Sequence, residues 1–258
     1  MAGNESTRDT DPYSALAVGY DLVMKHVDYD VWAAYVHQLL TRHGDGAIDT
    51  VLELGCGTGS FALHLQPLGN YTYIGTDRSP QMVRVAQIKA DEAGQDIRFE
   101  QLDFTSFDVS RTVDAVVLLY DGLNYLLERG QVRSMMTSAY EALRPGGMFC
   151  FDQSTPANSI RHGHDFEDAG EADGFAFVRH STYDAEERLH TTTFDITVDD
   201  QHYHEEHVQR AYARGEIRAL IDEVGFDVLA AYDNFSDAAA TDESERIHWI
   251  VQRPSKAA

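Results

Sequence analysis

The segment Val51-Leu52-Glu53-Leu54-Gly55-Cys56-Gly57-Thr58-Gly59 constrains the chain more than any other. It reads as an apolar strand that runs into three glycines at alternate positions, with a helix starting directly after. Glycine lets the main chain turn sharply and lets a ligand lie along it with no side chain in the way. The first turn of the following helix offers unpaired N–H groups that favour a carboxylate or a phosphate. At the carboxyl edge of a parallel sheet, such a turn is where ligands bind in doubly wound folds.

The rest of the sequence has the rhythm such a sheet needs. Apolar spacing predicts helices over residues 13–24 and 29–40, ahead of a strand at 50–54. Strands at 71–76, 97–102, 113–119 and 148–152 then alternate with helices at 59–65, 82–93 and 131–143. The run 113–119 is continuously apolar, which suits a sheet covered on both faces. Alternation of this kind implies βαβ units with right-handed crossovers. Between 153 and 212 the rhythm breaks into polar alternating stretches at 175–182, 189–198 and 202–211, read as three inserted antiparallel strands. It resumes with a helix at 216–224, a stop at Gly225, and strands at 227–232 and 246–252. The expected fold class is α/β: a doubly wound, seven-stranded, mostly parallel Rossmann-like sheet with an inserted antiparallel β lid. Residues 13–152 and 213–253 form the core in this reading and 153–212 the lid. Residues 1–12 and the tail after Pro254 are expected to be disordered.

Composition narrows the function classes. Lysine and arginine total 20 against 43 aspartates and glutamates, a formal charge of −23. That excess opposes binding to nucleic acid or anionic lipid, both of which need clustered cations. The opening residues carry no apolar run of the signal-peptide kind, and no stretch approaches the roughly 18 apolar residues of a spanning helix. A cytoplasmic protein without membrane contact is expected. Cys56 and Cys150 both fall in segments read as interior, consistent with a reducing compartment.

Two carboxylates refine the reading of the glycine turn. A dinucleotide fingerprint wants glycine at the first, third and sixth positions, whereas here the sixth is Ser60 and the third glycine is Gly59. Asp77 closes Ile74-Gly75-Thr76-Asp77, where it can accept hydrogen bonds from both hydroxyls of a ribose. Asp103 ends the next strand in Gln101-Leu102-Asp103-Phe104, where it can accept from an adenine amino group beside an aromatic ring. Taken together, these features resemble the class I S-adenosylmethionine-dependent methyltransferases. Leu119-Tyr120-Asp121-Gly122-Leu123-Asn124-Tyr125 and Leu143-Arg144-Pro145-Gly146-Gly147 fit that family as well. The opening Tyr20-Asp21-Leu22-Val23-Met24 with Tyr29 and Trp32, and the closing Glu243-Ser244-Glu245-Arg246, resemble a small bacterial subgroup whose substrates are mostly unassigned.

The resemblance implies S-adenosylmethionine as cofactor and assigns residues to it. Glu53 and the main chain of Gly55, Cys56, Gly57, Thr58 and Gly59 would hold the methionine portion. Asp77, with Arg78 beside it, would take the ribose. Met82 would pack on the adenine, Asp103 and Phe104 would complete its pocket, and Leu119 would line the far wall with Tyr120. Tyr20 would close the site near the sulfonium, and Tyr120 or Asp121 would contact the acceptor. Asp121 directly follows the fourth strand and is expected to point into the cleft; His180 and His207 are rival bases, and Asn124 a polar wall residue. Plainer roles compete: Met82 as ordinary core, Asp77 as a helix cap, although Ser79 suits that better. The cluster His202-Tyr203-His204-Glu205-Glu206-His207 is read as an exposed polar strand, and no metal site is expected. The expected activity is in-line methyl transfer to nitrogen or oxygen of a small-molecule acceptor, by a monomer or homodimer. The rivals are a non-catalytic S-adenosylmethionine-binding protein and a nicotinamide-dependent oxidoreductase. Formation of S-adenosylhomocysteine, or a response to NADH, separates them.

Overall fold

A computed structural model describes residues 7–162 and 166–255. Its strands are β1 (Arg8–Asp9), β2 (Thr50–Leu54), β3 (Thr72–Asp77), β4 (Ile97–Gln101), β5 (Val113–Leu118), β6 (Leu143–Ser154), β7 (Phe166–Ala172), β8 (Phe175–Asp184), β9 (Leu189–Val198), β10 (Gln201–Arg210), β11 (Asp227–Asp233) and β12 (Arg246–Gln252). The helices are α1 (Tyr20–Val23), α2 (Tyr29–His43), α3 (Ser60–Gly69), α4 (Pro80–Ala93), α5 (Arg129–Ala142), α6 (Pro156–His162) and α7 (Arg214–Val224).

Seven strands form one sheet in the order β11-β12-β6-β5-β2-β3-β4. Neighbours from β6 across to β4 run parallel, while β12 is antiparallel to both β6 and β11. The chain winds outward through β3 and β4 on one side of β2 and through β5 and β6 on the other. The order therefore reverses between β2 and β5, which opens a crevice at their carboxyl ends.

Alternation along each central strand fills both faces. Leu52, Leu54, Val116 and Leu118 are buried with Met135, Met136 and Ala139 of α5 and Leu220 and Ile221 of α7. Val51, Ala115 and Val117 point the other way, onto Val36 and Leu40 of α2 and Phe61 and Leu65 of α3. Helix starts follow local chemistry. Asp28 accepts the Val31 N–H at 3.0 Å to begin α2. Ser79 accepts the Met82 N–H at 3.3 Å to begin α4, with Pro80 next, where a missing N–H costs nothing. No helix among the described residues is long and apolar enough to cross a membrane.

The second sheet departs from the sequence reading. It has five strands, in the order β1-β10-β9-β8-β7, not three. β7 escaped notice because Phe166-Glu167-Asp168-Ala169-Gly170-Glu171-Ala172 is an edge strand, mostly exposed and without apolar alternation. α6 also lies in the stretch read only as insertion. At the other edge, Arg8 and Asp9 pair with Tyr203 and His204. Disorder is thus corrected from residue 7 onward; residues 1–6 and 256–258 lie outside those described.

The helix expected over 13–24 is broken. Tyr13 has a φ of 66°, Leu16–Val18 form a single 3₁₀ turn, and α1 resumes after Gly19. The cause is packing: a Cβ on Gly19 would lie 2.1 Å from the ring of Phe175, so the main chain itself rests on the inserted sheet. Ala15, Leu16 and Val23 there share a third small core with Phe175, Phe177, Phe194 and Ile196.

Candidate functional site

The glycine turn sits at the end of β2, beside the reversal point. Gly57 has a φ of 54° and donates its N–H to Asp77 Oδ2 at 2.9 Å, while Asp77 Oδ1 accepts from the Ser79 N–H at 2.8 Å. Asp77 therefore ties the turn to the start of α4 and keeps further lone pairs for hydroxyl donors. Burial raises its pKa above the usual carboxylate value, against the hydrogen bonds from Ser79, Gly57 and Arg78. Gly59 precedes α3 with a φ of 75°, and a Cβ there would sit 2.9 Å from Ala86 Cβ and the Phe99 ring. A Cβ on Gly57, by contrast, would meet only the Tyr20 ring, at 3.5 Å. The two glycines are required for different reasons, internal packing at Gly59 and open space against the main chain at Gly57.

That open space belongs to a cleft of about 480 Å³, within the size range of small-molecule sites. Gly55, Gly57, Asp77, Arg78, Met82, Asp103, Phe104, Leu119, Tyr20 and Tyr120 all line it. A smaller cavity of about 50 Å³ adjoins it, lined by Glu53, Cys56, Thr58, Tyr29 and Trp32 and sharing Tyr20, Gly55, Gly57, Leu119 and Tyr120. Gly59 lines neither cavity. Met82 is both wall and core, being 1% exposed. Asp103 accepts the Thr105 N–H at 2.9 Å and faces Arg78 across 3.8 Å.

The N-terminal segment roofs the cleft and is pinned to the turn. Asp21 accepts from the Thr58 hydroxyl at 2.5 Å and from Lys89 Nζ at 2.5 Å, and Lys89 also reaches Ser60 Oγ at 2.6 Å. Burial drives the Tyr20 phenol well above its ordinary pKa and pushes Tyr120 up to about 12. Both hydroxyls stay protonated near neutral pH, able to position an acceptor but not to serve as phenolate bases. The Tyr120 hydroxyl pairs with His26 Nε2 at 3.2 Å.

Asp121 does not point into the cleft as expected. Tyr120 and Asp121 both have positive φ, 59° and 62°, and the resulting turn sends the Asp121 carboxylate to Arg246 at 2.6 and 3.2 Å. Arg246 also bonds Asp152, which is fully buried, and its guanidinium lies over the rings of Trp32 and Tyr120 at 5.4 and 5.7 Å. Asn124 is likewise no free wall residue. It donates to the carbonyls of Ser154 and Arg210 and accepts the Ser154 N–H. The strand His202–His207 is not simply exposed: Glu205 and His207 are 0% and 3% exposed. Sequence reasoning missed Arg246 as a clamp and Tyr13, Tyr125 and Glu205 as neighbours of the cleft, since no spacing rule links positions so far apart.

Glu53 supplies a pH signature. It is 3% exposed and accepts from the Tyr73 hydroxyl at 3.0 Å. Burial pushes its pKa from 4.5 up to about 8, with the Tyr73 hydrogen bond opposing. The raised value means that its contribution to stability is fully present below the unfolded pKa and is lost as pH rises through the folded one. Glu53→Gln keeps an acceptor for Tyr73 and removes that loss. The variant's melting temperature, relative to wild type, is expected to be higher at about pH 9 than at about pH 6. Identical differences at both pH values by scanning fluorimetry would exclude a carboxyl titrating in this range.

Comparison with known proteins agrees with this arrangement. Residues 51–147 match a family model described as a methyltransferase domain. A Geobacillus sp. (strain WCH70) protein named as a methyltransferase is 30% identical over 249 residues, covering 93% of this chain and 99% of its own. Among solved structures, an S-adenosylmethionine-dependent methyltransferase from Clostridium acetobutylicum ATCC 824 superposes with a TM-score of 0.78 at 22% identity, over 92% of this chain and 96% of that one. The sugar N-methyltransferase KedS8 from Streptoalloteichus sp. ATCC 53650 gives 0.73 at 20% identity, over 91% and 92%.

Proposed function

The chain belongs to the S-adenosylmethionine-dependent methyltransferases, and on that premise we propose that it methylates a nitrogen or oxygen of a small-molecule acceptor by in-line displacement. The observation that carries this reading is the roofed cleft of about 480 Å³ over the glycine turn. It encloses a ligand of metabolite size, whereas a nucleic-acid target would call for a basic groove and the chain carries a net charge of −23. The resemblance to a sugar N-methyltransferase supports the same acceptor class.

In this reading Glu53 and the main chain from Gly55 to Gly59, including Cys56 and Thr58, hold the methionine end of the cofactor. Asp77 and Arg78 flank the ribose, while Met82, Asp103, Phe104 and Leu119 enclose the adenine. The open side of Gly57 fits a ligand laid along the main chain. When bound, the cofactor supplies a methyl group already activated on a cationic sulfur. The protein's own share is then alignment, which can be worth effective molarities of about 10⁵ M or more, and exclusion of water. Tyr20 and Tyr120 shape the acceptor's approach. The N-terminal segment, backed by the five-stranded sheet, acts as the lid over the cleft.

Incubation with S-adenosylmethionine and a panel of amino sugars, amines and hydroxylated metabolites is expected to yield S-adenosylhomocysteine and one methylated product. Tight binding of S-adenosylhomocysteine with no product from any panel member would instead favour a non-catalytic binder. Asp77→Ala is expected to weaken S-adenosylhomocysteine binding by about 1–3 kcal/mol through lost charge-assisted hydrogen bonds and a loosened turn. An effect near zero by calorimetry would leave Asp77 as a tie between Gly57 and Ser79 only.

A further inference from the structure

Four side chains form a hydrogen-bonded chain from the cleft into the interior. Tyr13 and Tyr125 both line the cleft, and their hydroxyls bond each other. Tyr125 Oη lies 3.2 Å from His207 Nδ1, and His207 Nε2 lies 3.1 Å from Glu205 Oε2. Glu205 also accepts the main-chain N–H groups of Tyr13, Ala15 and Leu16 at 2.7, 2.6 and 3.0 Å. Burial alone would raise its pKa, but the bonds from His207 and these N–H groups hold the carboxylate below its ordinary value.

An ionised carboxylate can only accept, and beside a neutral imidazole this fixes the direction of every bond in the chain. His207 must carry its proton on Nε2, so its Nδ1 is bare and accepts from Tyr125. Tyr125, having donated its proton inward, must accept from Tyr13. Tyr13 is left with an oxygen lone pair at the cleft end. A base oriented by an acid and reached through a hydroxyl is the arrangement that activates nucleophiles in hydrolases. Tyr13 is held for this with a φ of 66°, a conformation bulky residues rarely adopt, by the same Glu205 that fixes the tautomer.

We propose that Tyr13, Tyr125, His207 and Glu205 are the proton outlet of the methyl-transfer site. The proposal rests on the methyltransferase reading above and adds a catalytic residue, Tyr13, with His207 acting behind it. An acceptor that carries a proton on its reacting nitrogen or oxygen donates it to Tyr13 Oη. Tyr13 passes its own proton to Tyr125, and Tyr125 passes its own to His207 Nδ1. One carbon–sulfur bond breaks and one carbon–nitrogen or carbon–oxygen bond forms. The sulfur loses its positive charge, and the proton ends on an imidazolium paired with Glu205, so charge is conserved. Among the described residues, the groups facing the His207 ring are Tyr13, Tyr125, Phe194 and Glu205, and Glu205 is the one carboxylate bonded to it.

The first test needs no acceptor. Long-range proton–nitrogen NMR on the whole protein, with ¹⁵N-labelled histidine, is expected to show His207 protonated at Nε2 and bare at Nδ1. Tyr125→Phe should shift the Nδ1 resonance without changing the tautomer. Protonation at Nδ1 in the wild type overturns the proposal. The second test is single-turnover transfer to the methylated member of the panel. Tyr125→Phe and His207→Gln are expected to slow it about 100-fold near neutral pH, and to recover as rising pH deprotonates the acceptor. Rates within threefold of wild type, or a loss that pH does not relieve, would make the four residues a structural tie only. Failure to bind S-adenosylhomocysteine, or no product from the panel, would sink the cofactor or acceptor reading instead. The outlet would fall with that reading, and the tautomer would then report only the direction of the hydrogen bonds.

Discussion

Gly57→Val is expected to weaken S-adenosylhomocysteine binding at least about 100-fold, a loss of about 2.7 kcal/mol, while leaving the far-ultraviolet circular dichroism unchanged. The added side chain starts 3.5 Å from the Tyr20 ring. Its two methyl groups would occupy the gap between the turn and that ring, which is the space the cleft offers a ligand. The φ of 54° adds a cost of about 1–2 kcal/mol for any L-residue, and more for a β-branched one. At about 2–4 °C per kcal/mol for a chain approaching this size, the melting temperature should fall by several degrees with the fold intact. Gly59→Ala makes the contrast, since its Cβ would strike Ala86 and Phe99 inside the protein. It should destabilise the fold first and the binding only as a consequence. Calorimetry showing unchanged affinity for Gly57→Val would remove the cofactor from this turn.

Arg246→Met is expected to give the largest loss of stability, about 3–5 kcal/mol, because it strands buried carboxylates without their cation. Asp152 is fully buried and Asp121 is 22% exposed. Burial raises the Asp152 pKa, with Arg246 opposing. Without the guanidinium the carboxyl takes up a proton more readily, so the deficit should shrink as pH falls. Adding Asp152→Asn to the variant should recover part of the loss at neutral pH, because the amide removes the uncompensated charge. A deficit below about 1 kcal/mol at neutral pH in chemical denaturation would show that the two carboxylates find other partners.

The sheet was legible in the sequence because its code is local. β2, β9 and β12 begin and end where period and punctuation place them, and Ser79 caps α4 as its position suggests. Both cysteines are buried. Gly55 and Gly57 of the glycine turn line one cleft together with Asp77, Met82, Asp103, Phe104, Leu119, Tyr20 and Tyr120. What failed was long-range. The apolar spacing of 13–24 is real, but those side chains pack on Phe175 and Phe177, and the main chain at Gly19 rests on the Phe175 ring. Asp121 reads as a base only until Arg246 is placed, and 125 positions separate them. His207 is only one of several candidate bases in the sequence, and its partner Tyr125, 82 positions away, is set by the fold.

The placement of β12 has a further implication for biosynthesis. It is made after every other strand of its sheet, yet its position is internal, wedged between β6 and β11. A ribosome that has released everything up to β11 has therefore produced two unzipped edges and two carboxylates still awaiting their guanidinium. Such nascent chains would offer open hydrogen-bonding borders to any extended peptide nearby, and one last insertion both seals the architecture and neutralises its interior.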